Sequence, residues 1–386
     1  FTARHKKFGG GQKRSIGICI WVSNPSLQMP MNAPPLYAVV SHIVNQIALE
    51  IRLRRVLRDF TLGVLISGSC LLEDVAHALR PRGTMSSQYR RLQRFLSNDR
   101  IDIRQLQREW TQIIIQIMQP EQLLLLVDET ALSDHLKVMV LGIWVPGGCI
   151  PIAWRSYQAT DYPAEGQARL IADLIDRVRD AFPVPLPTLL LADRGIGTSP
   201  HLIQAVEQER GIDILFRVQQ TCLFRHWDTA HTVALKDLAA QGQVWQGVGD
   251  VFKKAGWLPL VATVAQAPGY DQPWCLVSSV TIDPGLYRRR FYQEVSFRDL
   301  KSDGFQWHRS HVWVPDHADR LLLVLALAYA LVMLVGQALP PATTGRQSRL
   351  STFRRGLESI RDLFRPTIAA LLPPPLPPPR MTCVVQ

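Results

Sequence analysis

No two of the six cysteines in this 386-residue chain are spaced as C-x-x-C; Cys19, Cys70, Cys149, Cys222, Cys275 and Cys383 are scattered. That scatter argues against a disulfide framework and a cysteine-based zinc site. Set in apolar runs such as PWCLV, a free thiol is a small hydrophobe suited to a reducing compartment, so a cytoplasmic protein is expected. The chain has no Walker motif G-x4-G-K-[ST], which leaves ATP dependence without support. It also lacks an internal repeat. Lysine is scarce, with only eight among 43 basic residues. No A-x-A-like cleavage site follows the short apolar run IGICIWV, so a secretory signal is not expected. The first 14 residues hold five Lys and Arg and no acid. They read as an over-extended frame, with the natural start at Met29 or Met31.

Lys and Arg outnumber Asp and Glu by 43 to 32, giving a net charge of +11 and a pI near 9.7. This is the balance of a polyanion binder. Arginine forks suit bidentate phosphate contacts, although Arg-rich usage also follows from a GC-rich gene. A hydrophobic content of 47% is enough for a sizeable core and two or three domains. The run LLLVLALAYALVMLV, Leu321 to Val335, approaches a membrane span in length. Core helices of large proteins can also be apolar all round, and no membrane partner is expected.

Residues 1–35 read as an over-extended or disordered start. From 36 to 118 apolar residues recur at three-to-four spacing, which predicts an all-helical domain. Within it, a short helix with Val75, Ala76 and Leu79 stops at Pro81 and Gly83. Ser86 or Ser87 can cap a second helix carrying Arg90, Arg91 and Arg94. This resembles a helix-turn-helix whose basic helix lies along a DNA groove; a helical hairpin with a solvated Arg face is the other reading. Residues 119–212 alternate β-type runs with helices and predict an α/β domain on a mixed sheet. Residues 213–281 are strand-rich and read as a β insertion. The α/β pattern resumes over 282–340, with a helix from about Pro284 to Lys301 and the apolar helix after Asp316. Residues 341–386 read as a basic, proline-rich tail.

Two carboxylates sit where buried strands end, Asp128 in LLLLVDET and Asp193 in LLLADRG. Either alone is commonly a turn or helix cap. Glu129, next to Asp128, should point to the other side of a strand. In YRRRFYQEVSFRDLK, the offsets 0, 3, 7 and 14 bring Tyr287, Arg290, Glu294 and Lys301 to one helix face. Such a face is either a solvated salt-bridge stripe or a surface that grips phosphates. His308, His311 and His317 form H-x2-H-x5-H, but without a fourth ligand nearby zinc is not expected.

The spacing Y-x2-R-x3-E-x6-K resembles the YREK signature of the DDE transposases of bacterial insertion sequences, in the family named after the fourth insertion sequence described. LLLLVDET and LLLADRG match the blocks that carry that family's two Asp residues. The resemblance covers roughly residues 60 to 340. It implies an RNase H-like mixed-sheet core with a β-rich insertion and an all-helical N-terminal DNA-binding domain. It also implies that Asp128, Asp193 and Glu294 are catalytic metal ligands, with Asp128 bridging two Mg²⁺ ions for which Mn²⁺ can substitute. In-line attack on a phosphodiester uses two such ions about 3.5 to 4 Å apart, and hard ions prefer carboxylate oxygens. Tyr287, Arg290 and Lys301 match positions that contact DNA phosphates. Trp274 matches a Trp that stacks on a flipped base, and a Trp that covers the sheet is the other reading. The implied partners are double-stranded DNA, as transposon ends and target, and a second copy of the chain, forming a homodimer on paired ends. A decayed or domesticated transposase that only binds DNA is the alternative.

Overall fold

The computed structural model describes residues 33–79, 83–184, 186–239, 243–265, 272–340 and 350–369. The basic first 14 residues, Met29, Met31 and the prolines of 371–380 lie outside them. Five helices come first: α1 Ala33–Asn45, α2 Ile51–Ser67, α3 Leu72–Ala78, α4 Met85–Leu96 and α5 Ile103–Met118. Helix α2 ends at Gly68, whose φ of 67° lets its N–H return to the Val64 carbonyl. The cap of α4 is Thr84, whose hydroxyl accepts from the Ser87 N–H at 3.3 Å. Ser86 and Ser87, the caps expected from sequence, fall inside its first turn.

The sheet begins with a meander, β1 Leu123–Ala131, β2 Leu136–Val145 and β3 Gly148–Gln158, followed by α6 Gly166–Val178. Strand β4 Thr188–Ala192, the short helices α7 Arg194–Gly197 and α8 Pro200–Ile203, and strand β5 Asp213–Arg217 come next. Strands β1, β4 and β5 pair parallel, and the β1–β2 and β2–β3 pairs are antiparallel. Five further strands follow, β6 Leu223–His226, β7 Thr232–Ala234, β8 Val244–Val251, β9 Leu258–Ala265 and β10 Trp274–Ser278. They extend the same sheet, whose ten strands run β3-β2-β1-β4-β5-β10-β9-β8-β6-β7. This is a mixed α/β fold. Strand β5, at the start of the stretch read as an insertion, is bonded directly to β4.

Leu123 to Val127 are all buried, the mark of a central strand covered on both faces. Leu123, Leu125 and Val127 enter the main core, while Leu124 and Leu126 enter a second cluster with Leu189, Leu191, Leu276 and Tyr287. Helix α5 is tied to β3 by Trp110 Nε1 donating to the Pro151 carbonyl and Gln107 Nε2 to that of Trp154, each at 2.8 Å.

The helix expected from Pro284 to Lys301 is two elements. A 3-10 segment, Pro284–Arg290, runs into α9 Phe291–Lys301. The long apolar stretch is α10 Pro315–Ala338, the one described helix long and apolar enough to cross a membrane by composition. Its apolar surface is occupied by protein, since α2, β3 and α11 Thr352–Ala369 pack against it. Helix α11 lies within the residues expected as a tail. Its Phe353, Leu357 and Ile360 are buried, and that amphipathic spacing outweighs the basic composition of the segment.

Candidate active site

Alternation along β1 and β4 places the two acids. Leu124 and Leu126 face the second cluster, so two residues further on Asp128 faces the same side; Leu189 and Leu191 set Asp193 likewise. The parallel register ends at Val127 opposite Ala192, so the two carboxylates leave adjacent strands at the same level. The chain departs from β1 toward β2 and from β4 toward β5. Asp128 lies within β1, shortly before its end at Ala131, and Asp193 directly follows β4, so both stand toward the carboxyl ends of the parallel strands at a topological switch point, where open α/β sheets hold their ligands. Gly197 lets α7 lie close on β5, because a Cβ there would meet the Arg217 carbonyl oxygen at 2.6 Å. Asp193 caps that turn, its Oδ1 accepting from the Ile196 N–H at 3.0 Å.

The 3-10 segment and α9 supply the other side. At three residues per turn Tyr287 and Arg290 eclipse, whereas Glu294 and Lys301 follow at α-helical spacings of four and seven. Arg290 stands at the junction. Its Nη1 donates to Asp128 Oδ2 at 3.1 Å, and its Nη2 pairs with Glu294. Asp128 Oδ1 accepts from the Glu129 N–H at 2.8 Å. Tyr287 is buried, and its ring meets that of Trp274 edge-to-face at 5.4 Å. Lys301 Nζ donates to the Ala131 carbonyl at 2.5 Å. Glu129 turns to the opposite face, where it accepts from the Tyr157 hydroxyl and pairs with Lys137 at 3.1 Å.

These groups feel one another. Burial pushes the Asp128 carboxyl up to about 6; Arg290 pulls it down and Asp193 pushes it further up. Burial raises the Tyr287 phenol to about 12 against the pull of Arg290 and Arg217. Burial lowers the Lys301 ammonium, with Asp128 opposing the shift. Arg217, at the carboxyl end of β5, is a member of the site that sequence reasoning missed. Its position after a third buried strand was the available signal, and reading 213–281 as an insertion concealed it.

The donor set suits a hard divalent ion in type, being carboxylate oxygen. Burial, which strips water from the carboxyl, holds Asp128 above the ordinary carboxylate range even with Arg290 in contact. Glu294, about half exposed, turns its carboxylate to Arg290 instead. Among the described residues, no three His, Cys, Asp or Glu side chains are gathered closely enough to hold a metal.

The three arginines of α4 have separate placements. Arg91 Nη1 pairs with the buried Asp59 Oδ2 at 2.9 Å, beside Arg58. Arg90 and Arg94 are exposed and line a cleft with His311 and His317. His308 Nδ1 lies 2.8 Å from the Lys301 carbonyl.

The fold is similar to that of piggyBac transposase, seen in a synaptic complex with hairpin DNA, with a TM-score of 0.41 and 11% identity over 92% of this chain and 88% of that one. No protein-family model matches the sequence. No curated protein matches it.

Proposed function

We propose that this protein is a transposase of the DDE type, which binds the terminal inverted repeats of an insertion sequence, cleaves DNA strands there and joins them to target DNA. The observation that carries this reading is the level placement of Asp128 and Asp193 on adjacent parallel strands, with Arg290 and Glu294 brought over Asp128 from 162 residues along the chain. The strand order β3-β2-β1-β4-β5, in which only β2 runs against the others, supports an RNase H-like core.

Asp128, Asp193 and Glu294 are the proposed holders of Mg²⁺ or Mn²⁺. When bound, the ions supply Lewis-acid stabilisation at the attacking and leaving oxygens of the phosphodiester. Glu294 joins the two aspartates once its carboxylate leaves Arg290. The guanidinium thereby released is placed to hold a DNA phosphate in the fork geometry that carboxylate and phosphate share. Tyr287, whose phenol stays protonated at neutral pH, is a hydrogen-bond donor to the same backbone, and Lys301 adds a point charge. Trp274, half-buried against Tyr287, offers an aromatic face to an unstacked base.

The test is incubation of the purified protein with labelled DNA from the flanks of its gene, searched for inverted repeats that would mark the ends, in the presence and absence of Mg²⁺. Metal-dependent release of 3′ hydroxyls and their joining to target DNA is expected. Binding without nicking or joining at any end would leave the second reading, a DNA-binding protein without the chemistry. The specific observation favouring it is the Arg290 bridge, which occupies Asp128 and Glu294 together.

A further inference from the structure

A cleft of about 560 Å³ separates α4 from the segment Ser310–Val314. Its size falls within the roughly 300–1,000 Å³ of cavities that enclose small organic ligands. Arg90 and Arg94 enter from α4, and His311 and His317 from the opposite wall, with no acid in the lining. Among the described residues neither arginine makes an ion pair. Behind the cleft lies Arg320 of α10, 5% exposed, which donates from Nη1 to the carbonyl of Leu96, itself a lining residue. Its Nε has no partner, and among the described residues no carboxylate pairs with it.

The walls are also aromatic. Tyr89 and Trp313 are half-buried in the lining. Trp313 packs against His135 outside the cleft, 5.9 Å between ring centroids, and against His311 within its lining at 5.6 Å. Its carbonyl accepts from Gln158 Nε2 at 3.2 Å. His311 holds a left-handed backbone, φ 55°, uncommon for a side chain other than glycine. His135 follows β1 by four residues, and the end of β1, Ala131, is held by Lys301. The cleft is thus joined through short stretches of chain to the strand that carries Asp128.

Cation and aromatic faces together are the composition of a site that takes nucleic-acid strands one nucleotide at a time. A duplex does not fit a cleft of this size. We propose that the cleft binds an unpaired DNA strand, with a phosphate at Arg90 and Arg94 and a base against Tyr89 or Trp313. The assignment rests on the proposed function only in taking DNA as the partner.

The test titrates the full chain with a labelled single-stranded oligonucleotide containing 4-thiothymidine, over a range of salt concentrations. Arg90→Ala with Arg94→Ala should weaken binding at least about tenfold and reduce the salt slope by about 0.7 per arginine. Trp313→Leu should weaken it about five- to 100-fold, whereas Trp313→Phe, which keeps an aromatic face, should remain within about threefold of wild type. Irradiation should cross-link the strand to Tyr89 or Trp313. Unchanged affinity and slope in the double variant, with duplex binding intact, overturns the cleft assignment alone. Absence of all DNA binding by the wild-type chain overturns the proposed function with it. Displacement of the oligonucleotide by a free mononucleotide of equal affinity reassigns the cleft to a small molecule and overturns the strand proposal.

Discussion

Arg290 Nη1 lies 3.1 Å from Asp128 Oδ2, and that contact joins β1 to the last residue of the 3-10 segment. Both side chains are largely shielded from water, at 13% and 17% exposure. Arg290 is the largest influence acting against the burial that raises Asp128.

Arg290→Gln should therefore raise the Asp128 carboxyl further above about 6. Carbon-detected NMR titration of aspartate side chains in the metal-free protein reads this directly. On the proposed function, cleavage of end DNA falls by about 10²-fold or more in the same variant, because a cationic donor is lost from the site. A titration midpoint that does not move would mean that Arg290 has little hold on Asp128.

Asp193 has a structural task as well as its proposed chemical one. Asp193→Ala should remove the cap of α7 and cost about 1 kcal/mol of stability, whereas Asp193→Asn keeps an oxygen for the Ile196 N–H. Thermal unfolding should separate the two variants, while neither cleaves DNA. Asp128→Ala and Glu294→Ala should also lose cleavage and retain most end binding, since affinity comes chiefly from the basic surface. Cleavage within tenfold of wild type by any of these variants excludes that residue from the acidic triad.

Arg91→Ala should destabilise the fold by about 1–3 kcal/mol, because it takes a partner from the buried Asp59. Its DNA affinity, measured below the unfolding temperature, should change less than that of Arg90→Ala. The reverse order would place Arg91 on the DNA and Arg90 in a structural role.

Stability should fall as pH rises from about 4 to 7. Asp299 is 4% exposed, and burial pushes its carboxyl from 3.8 to about 7. Between those values the folded protein holds a proton that the unfolded chain has released, so raising the pH favours unfolding. Asp319 is shifted in the same direction by burial, also to about 7. Asp299→Asn should reduce the slope of unfolding free energy over this range and gain stability at pH 8. Parallel curves for variant and wild type would show that Asp299 is not held protonated.

Lys301→Ala should reduce the salt slope of duplex binding by about one phosphate contact, about 0.9. An unchanged slope would leave Lys301 with the Ala131 carbonyl as its only task.

Sequence alone located the apolar runs of β1 and β4 and the end of β4 before Asp193, but β1 runs on through Asp128 to Ala131, because pairing with β2 extends it past the apolar run. It also found the helices of 36–118 through three-to-four periodicity, though not α11, and a shared face for Tyr287, Arg290, Glu294 and Lys301. Tertiary structure decided how that face is made. The helical arithmetic assumed one α-helix, but the segment beginning at Pro284 winds as a 3-10 turn to Arg290, and tightening of that kind depends on what the segment packs against. Arg217 reaches the site only because β5 pairs parallel with β4, a long-range choice that local pattern does not encode. Composition made α10 a possible membrane span, whereas packing by α2, β3 and α11 made it a core helix. The arginines of α4 were equivalent by charge. One turn of helix separates Arg90, exposed at the cleft, from Arg94 beside it, while Arg91 points to a carboxylate 32 residues earlier in the chain, and only the folded arrangement of α2 against α4 could assign them apart.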